Sequence, residues 1–246
     1  MSEFFIAEAL IVLFSGIIHG VLGFGFPMIA TPLLATFMDL KKAVLYTLLP
    51  TIVVNGSSIK RDNSVFGIFK EYKLLIFSVL CGSIAGATVL VFFYTDYYKL
   101  LLALVILLYL NRQKLNISLT LQVERNRQIT TCVMGFLSGL VGGIANIMIP
   151  VLIILVLEFK LEKKKSIGVM NFCFLSNKFV QALMFGINGS FNAQNIVFIL
   201  PLILLALFGF VLGSKMQDKI DETLYKKILH VALWILSFYL IFSTLI

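Results

Sequence analysis

Lys178 is the residue in this chain with the clearest chemistry. It lies in Asn171-Phe-Cys-Phe-Leu-Ser-Asn-Lys-Phe-Val-Gln181 and is the only basic residue so deep in an apolar stretch. A charge at membrane depth is costly and marks a functional site by default. Asn171, Asn177, Lys178 and Gln181 include spacings of three, four and seven residues, so several of them share one helix face. An ammonium lined by amides offers hydrogen-bond donors to an anion. Two other readings stand beside this one: a long lysine stem can snorkel to an interface, and asparagines can tie helices together. Asn55, at the end of Thr51-Ile-Val-Val-Asn55, holds the place earlier in the chain that pairs with Asn177.

Two Gly- and Pro-containing segments form the second constellation. Gly20-Val-Leu-Gly-Phe-Gly-Phe-Pro-Met-Ile-Ala-Thr-Pro32 lies between apolar spans, and Gly139-Leu-Val-Gly-Gly-Ile-Ala-Asn-Ile-Met-Ile-Pro150 lies between two others. Three glycines and a proline weaken regular helix, so a break is expected in each. Broken backbone at membrane depth survives only against protein or a wet cavity. A short helix follows each break, and its N-terminus offers free N–H groups and partial positive charge. Gly23, Phe24, Gly25 and Thr31, with Gly142, Gly143 and Asn146, are therefore candidate anion-binding residues. An ordinary tight turn at the membrane edge is the alternative for either segment alone.

Other chemistry is sparse. His19 and His230 are the only histidines; packing or hydrogen bonding is the leading reading, with metal or proton-shuttle roles behind it. Glu8 is the only carboxylate clearly inside an apolar span, too few for an acidic ion relay. Cys81, Cys132 and Cys173 form no CxxC and read as small buried residues. There is no P-loop. No catalytic residue, metal or cofactor is expected.

The elements that must position these groups follow from composition. Of 246 residues, 60% are hydrophobic and 13% charged, and the mean hydropathy is +1.02. No soluble domain of this length hides so much apolar surface, and the apolar runs are too continuous for a β-barrel. The class is an all-α polytopic membrane protein in a lipid bilayer. Spans are expected near 4–22, 26–39, 42–59, 72–94, 97–111, 129–142, 146–159, 164–187, 194–214 and 224–245. The first reads as a membrane helix and not as a cleaved signal. The net charge of +8 fits basic cytoplasmic loops, with no nucleic acid as partner.

The chain is written twice. Gly16-x3-Gly20-x2-Gly23 recurs as Gly135-x3-Gly139-x2-Gly142, Pro32 as Pro150, Lys41-Lys42 as Lys164-Lys165, Gly82-x3-Gly86 as Gly209-x3-Gly213, and Tyr98-Lys99 as Tyr225-Lys226. Residues 1–111 form one membrane repeat, 112–128 a cytoplasmic linker and 129–246 a second repeat. Five spans per copy force the copies to be inverted, with short broken helices at the pseudo-two-fold axis. With both termini outside, the inside loops hold 16 Lys and Arg, and the outside holds only Lys41, Lys42 and Lys99. That split obeys the positive-inside rule, with Lys41-Lys42 as the misfit.

The motif GFGFPMIATPLL (residues 23–34) resembles the first signature of the sulfite exporter TauE/SafE family, and GFLSGLVGGIANIMIPVL (residues 135–152) resembles the second. The similarity spans nearly the whole chain. It implies a permease of the cell (inner or plasma) membrane for sulfite, a sulfonate or a related small anion. Phe26-Pro27 stands where many members carry further glycine, a change that would narrow the site or alter what it accepts. An anion channel is the nearest alternative, with a membrane redox or metal-handling protein behind it. Homo-oligomerisation is left open.

Overall fold

The computed structural model describes residues 5–62, 65–111, 125–216, 234, 237–242 and 244. Every regular element among them is a helix: α1 (Phe5–Leu22), α2 (Phe26–Leu34), α3 (Leu40–Asp62), α4 (Val65–Glu71), α5 (Lys73–Phe92), α6 (Tyr98–Asn111), α7 (Arg127–Ala145), α8 (Ile149–Glu158), α9 (Lys163–Ile187) and α10 (Ala193–Met216). Trp234 and residues 237–242 and 244 are helical too. Most of the linker, most of the expected tenth span and His230 lie outside the described residues.

Four helices, α1, α5, α7 and α10, are long and apolar enough to cross a membrane. Ile6, Leu10 and Phe14 form an exposed apolar stripe on α1, and Val197, Leu200, Leu204 and Phe208 form one on α10. Stripes of this kind suit lipid rather than water. The chain is thus built as a multi-pass helical membrane protein.

The other helices depart from simple crossings. The short α2 and α8 have nine and ten residues, roughly 14–15 Å of helix, about half a bilayer core. The long α3 and α9 have 23 and 25 residues but carry polar and charged groups that lower their hydropathy. Packing explains why that is tolerated. Helix α7 lies on α5, α5 on α9, α9 on α3, α3 on α10, and α10 on α1. The two polar helices occupy the middle of this row, and α2 rests on α1 and α3.

The outer pairs close through glycine. A Cβ on Gly16 would stand 2.5 Å from the Ala206 carbonyl oxygen, and one on Gly20 would meet that of Phe210. From the other side, Gly209 and Gly213 face the carbonyls of Leu13 and Ile17. The α5–α7 pair repeats the pattern: Gly82 and Gly86 face the Phe136 and Leu140 carbonyls, and Gly139 faces that of Val79. Small residues let helix backbones approach this closely.

These contacts revise two expectations. Gly139 meets α5 as Gly16 meets α10, and Gly143 meets Gly86 and Ala87 as Gly20 meets Gly213 and Ser214. Gly139 thus makes on α5 the contact that Gly16 makes on α10, one helical turn beyond the Gly135 with which the sequence motif aligns Gly16. Gly135, Gly139 and Gly143 repeat every four residues, so a one-turn slip still sets glycine on glycine. The second break is also narrower than expected. Gly139, Gly142 and Gly143 remain helical within α7, because their missing side chains admit α5 and surrounding chains. In addition, only Cys173 is buried, whereas Cys81 is exposed.

Lys165 at the start of α9 pairs with Glu71 at the end of α4 at 2.8 Å. The hydrogen bond from Lys165 holds the Glu71 carboxyl below its ordinary value. Both groups are exposed, so the pair orients α4 more than it stabilises it.

The glycine contacts generate a contrast. Gly20→Val drives a branched side chain into the Phe210 carbonyl and should destabilise the fold by about 1–3 kcal/mol or more. Gly56→Ala on α3 meets nothing within 4 Å and should be neutral or raise stability by up to about 1 kcal/mol. Thermal unfolding in detergent should separate the two variants.

Candidate functional site

Two polar stripes face the middle of the helix row. On α3, Thr47, Thr51, Asn55 and Ser58 are spaced four, four and three residues apart and all are fully buried. On α9, Asn171, Asn177, Lys178 and Gln181 are buried as well. Two of the threonines satisfy themselves against their own helix: Thr47 Oγ1 donates to the Ala43 carbonyl at 2.9 Å and Thr51 Oγ1 to that of Thr47 at 2.5 Å.

The first break lies at Gly23–Gly25. Both glycines hold positive φ, +83° and +102°, which side chains rarely adopt. Helix α2 starts immediately after, with Pro27 preset for its first turn. The Phe26 N–H donates to His19 Nδ1 at 3.3 Å. Because Nδ1 accepts, Nε2 carries the proton and donates to Ser58 Oγ at 2.9 Å. His19 is thus a buried imidazole with both nitrogens engaged; it fastens α1 to α2 and α3. Asn171 Nδ2 donates to the Gly23 carbonyl at 2.7 Å. Arg61, exposed in the last turn of α3, donates to the Gly20 carbonyl at 3.3 Å and to Ser214 Oγ at 3.1 Å.

The second break is centred on Asn146, the cap of α7, with φ +62°. Its Nδ2 donates to Thr31 Oγ1 at 2.6 Å and Thr47 Oγ1 at 3.1 Å. Its Oδ1 accepts from Lys178 Nζ. Gln181 Oε1 accepts a second Lys178 N–H. Gln181 Nε2 donates to the carbonyls of Gly142 at 3.2 Å and Gly143 at 3.0 Å. Lys178 does not snorkel: it is fully buried. An ammonium has three N–H donors, and the bonds to Asn146 and Gln181 use two of them.

The structure brings most of the candidate residues together. Thr31, Gly142, Gly143, Asn146, Lys178 and Gln181 form one linked cluster. Gly23 and Asn171 meet at the other break. The breaks approach each other, since Ile149 Cδ1 at the start of α8 lies 3.8 Å from where a Gly25 Cβ would stand. Phe24 is half-buried and packs against the apolar core. Asn177 points elsewhere: its Nδ2 donates to Ser83 Oγ at 2.9 Å, joining α9 to α5. Asn55 is enclosed with neither amide atom bonded, and Asn171 Oδ1 is likewise unmet. Sequence reasoning passed over Thr47, Ser58 and Arg61; for His19 its leading reading, packing or hydrogen bonding, holds. The spacing of Thr47, Thr51, Asn55 and Ser58 was the available signal.

Broken helices, a buried lysine and unmet amides thus come together inside a multi-pass helical membrane protein. The family model for sulfite exporter TauE/SafE matches residues 8–240, nearly the entire chain. The chain belongs to that family. None of the curated proteins and none of the solved structures matches it.

Asn55 is the sharpest test of this site. A buried amide left unbonded destabilises a protein by about 1–3 kcal/mol. Asn55→Leu should therefore raise the melting temperature in detergent while slowing transport. Lower stability with unchanged transport would mean that Asn55 serves packing alone.

Proposed function

We propose that the protein is a secondary permease that exports a small anion, sulfite or an organosulfonate, through a site shared by two inverted repeats. The observation that carries this reading is Lys178, a fully buried amine whose partners among the described residues are two neutral amide oxygens. Such a group binds an anion without first breaking an ion pair. Asn146, Gln181, Thr31 and Thr47 complete one side of the site. Gly23, Gly25, Phe24, Asn55 and Asn171 form the other, where the α2 N-terminus opens. Gly142 and Gly143 contribute carbonyls that hold Gln181.

The repeats, 1–111 and 129–246 about a cytoplasmic linker at 112–128, draw support from a constant offset. Gly16 and Gly139, Gly20 and Gly143, Gly23 and Asn146, Pro27 and Pro150, and Lys41 and Lys164 all stand 123 residues apart. Both Gly23 and Asn146 have positive φ, and both prolines are the second residue of a short helix. On this register, Asn55 of α3 takes the place of Lys178 of α9.

An arrangement of ten spans, two of them the short α2 and α8, with both termini outside the cell membrane follows from the charge distribution. Lys41, the misfit of that rule, donates to the Val91 carbonyl at 2.6 Å and so sits at the C-terminal end of α5, where a cation is favoured. Single cysteines in a Cys-free background test the arrangement. Position 189 should label from outside intact cells and position 165 only after permeabilisation.

Purified protein in liposomes should move sulfite or an organosulfonate without ATP. Lys178→Met should weaken anion affinity by about tenfold or more, since about 1.4 kcal/mol is one decade. It also strips the Asn146 and Gln181 oxygens of their donor, so some stability should be lost. Transport of cations but of no anion would refute the reading, and unchanged affinity in Lys178→Met would remove Lys178 from the site.

A further inference from the structure

We propose that the species carried is a singly charged oxyanion bearing its own O–H, and that fully deprotonated dianions are excluded. This deepens the proposed function and rests on it. Two independent features lead here, one of charge and one of hydrogen bonding.

The site holds one group able to carry positive charge. Among the described residues Lys178 is the only lysine or arginine that is buried, and no carboxylate bonds to it. Glu8, the one buried carboxylate among those residues, sits in the first turn of α1. His19 accepts at one nitrogen and donates at the other. Arg61 lies beside the first break but is exposed, and it is already bonded to Gly20 and Ser214. A monoanion against Lys178 makes a neutral pair. A dianion leaves one negative charge uncompensated in a site removed from water, where desolvation outweighs what neutral amides return.

The hydrogen-bond inventory at the first break points the same way. The Asn171 amide is oriented by its Nδ2 bond to the Gly23 carbonyl. Its Oδ1 is buried and unmet, and an amide oxygen only accepts. Asn55, on α3, has both amide atoms unmet and can present either. A bare dianion brings only acceptors and is repelled by the Asn171 oxygen. A ligand with an O–H donates to it. Asn171 and Lys178 are two turns apart on α9, about 10 Å. A substrate passing both must offer a donor at one station and one negative charge at the other. Hydrogensulfite and hydroxyl-bearing sulfonates satisfy both; sulfate and fully ionised sulfite do not.

The experiment measures initial rates into liposomes holding the purified full chain, with protein-free vesicles giving the leak. The probes are sulfite, sulfate, 2-hydroxyethanesulfonate and ethanesulfonate, each across the pH range of sulfite's second ionisation. At constant total sulfite, the rate should fall about tenfold per pH unit above that ionisation, following hydrogensulfite. The hydroxysulfonate, singly charged throughout, should hold a flat profile, which separates substrate charge from titration of His19, Glu8 or Lys178. Sulfate should not exceed the leak. Ethanesulfonate, equally charged but lacking the hydroxyl, should move roughly fivefold more slowly, and Asn171→Leu should level the two sulfonates. Sulfite rates that stay constant or rise with pH, sulfate carried as well as sulfite, or one shared pH profile for sulfite and the hydroxysulfonate would overturn the inference while leaving the permease reading intact. Movement of none of the probes would overturn both.

Discussion

The close approach of helix backbones at glycine is the constraint on which the rest depends. In lipid, apolar side chains gain little by meeting one another, so helices associate through tight packing and hydrogen bonds. At α1–α10 and α5–α7 the carbonyl of one helix occupies the space where the other would carry a Cβ. These two pairs flank α3 and α9, which are left with no lipid to face on their polar sides. Only in that setting can Thr47, Asn55, Asn171 and Lys178 be kept at depth. The broken backbone at Gly23–Gly25 and at Asn146 is tolerated for the same reason, because protein surrounds it.

Much of this was legible in the residues themselves. Lys178 and the Asn171–Gln181 stripe stood out because charge in an apolar run is rare. The glycine pairs and the two breaks were visible as Gly and Pro at fixed spacing. Gly142 and Gly143 misled because glycine loosens a helix only where nothing packs against it. Here Gly143 receives the α5 backbone and Gly142 the Met148 side chain, and α7 runs on to Ala145. The motif that aligns Gly16 with Gly135 fits Gly139 as well, because a four-residue ladder looks the same after each turn. Ser58 and Thr47 carried too little hydropathy signal to be noticed singly; only their phase with Asn55 gave them away. That His19 bridges three helices follows from contacts distant in sequence, which no local pattern encodes.

Asn146 is the junction of the site. Its side chain bonds to Lys178 from one half of the chain and to Thr31 and Thr47 from the other. The ammonium therefore shares its acceptor with a contact between the halves. At the opposite break Asn171 makes the link between the halves, to the Gly23 carbonyl, while His19 and Ser58 join helices within the first half.

The interleaved pairing also bears on how the chain is made. The glycine face of α1 meets α10, about 190 residues later, and α5 meets α7 across the linker. Neither half holds a complete set of partners for its own helices. During synthesis α1 enters the bilayer with its tightest neighbour still unmade, and it keeps a small-residue groove open until Met216 has left the ribosome. Contacts so far apart in sequence make late assembly slow. A ribosome that stalls before α10 leaves a product whose first helix has only lipid against its glycines.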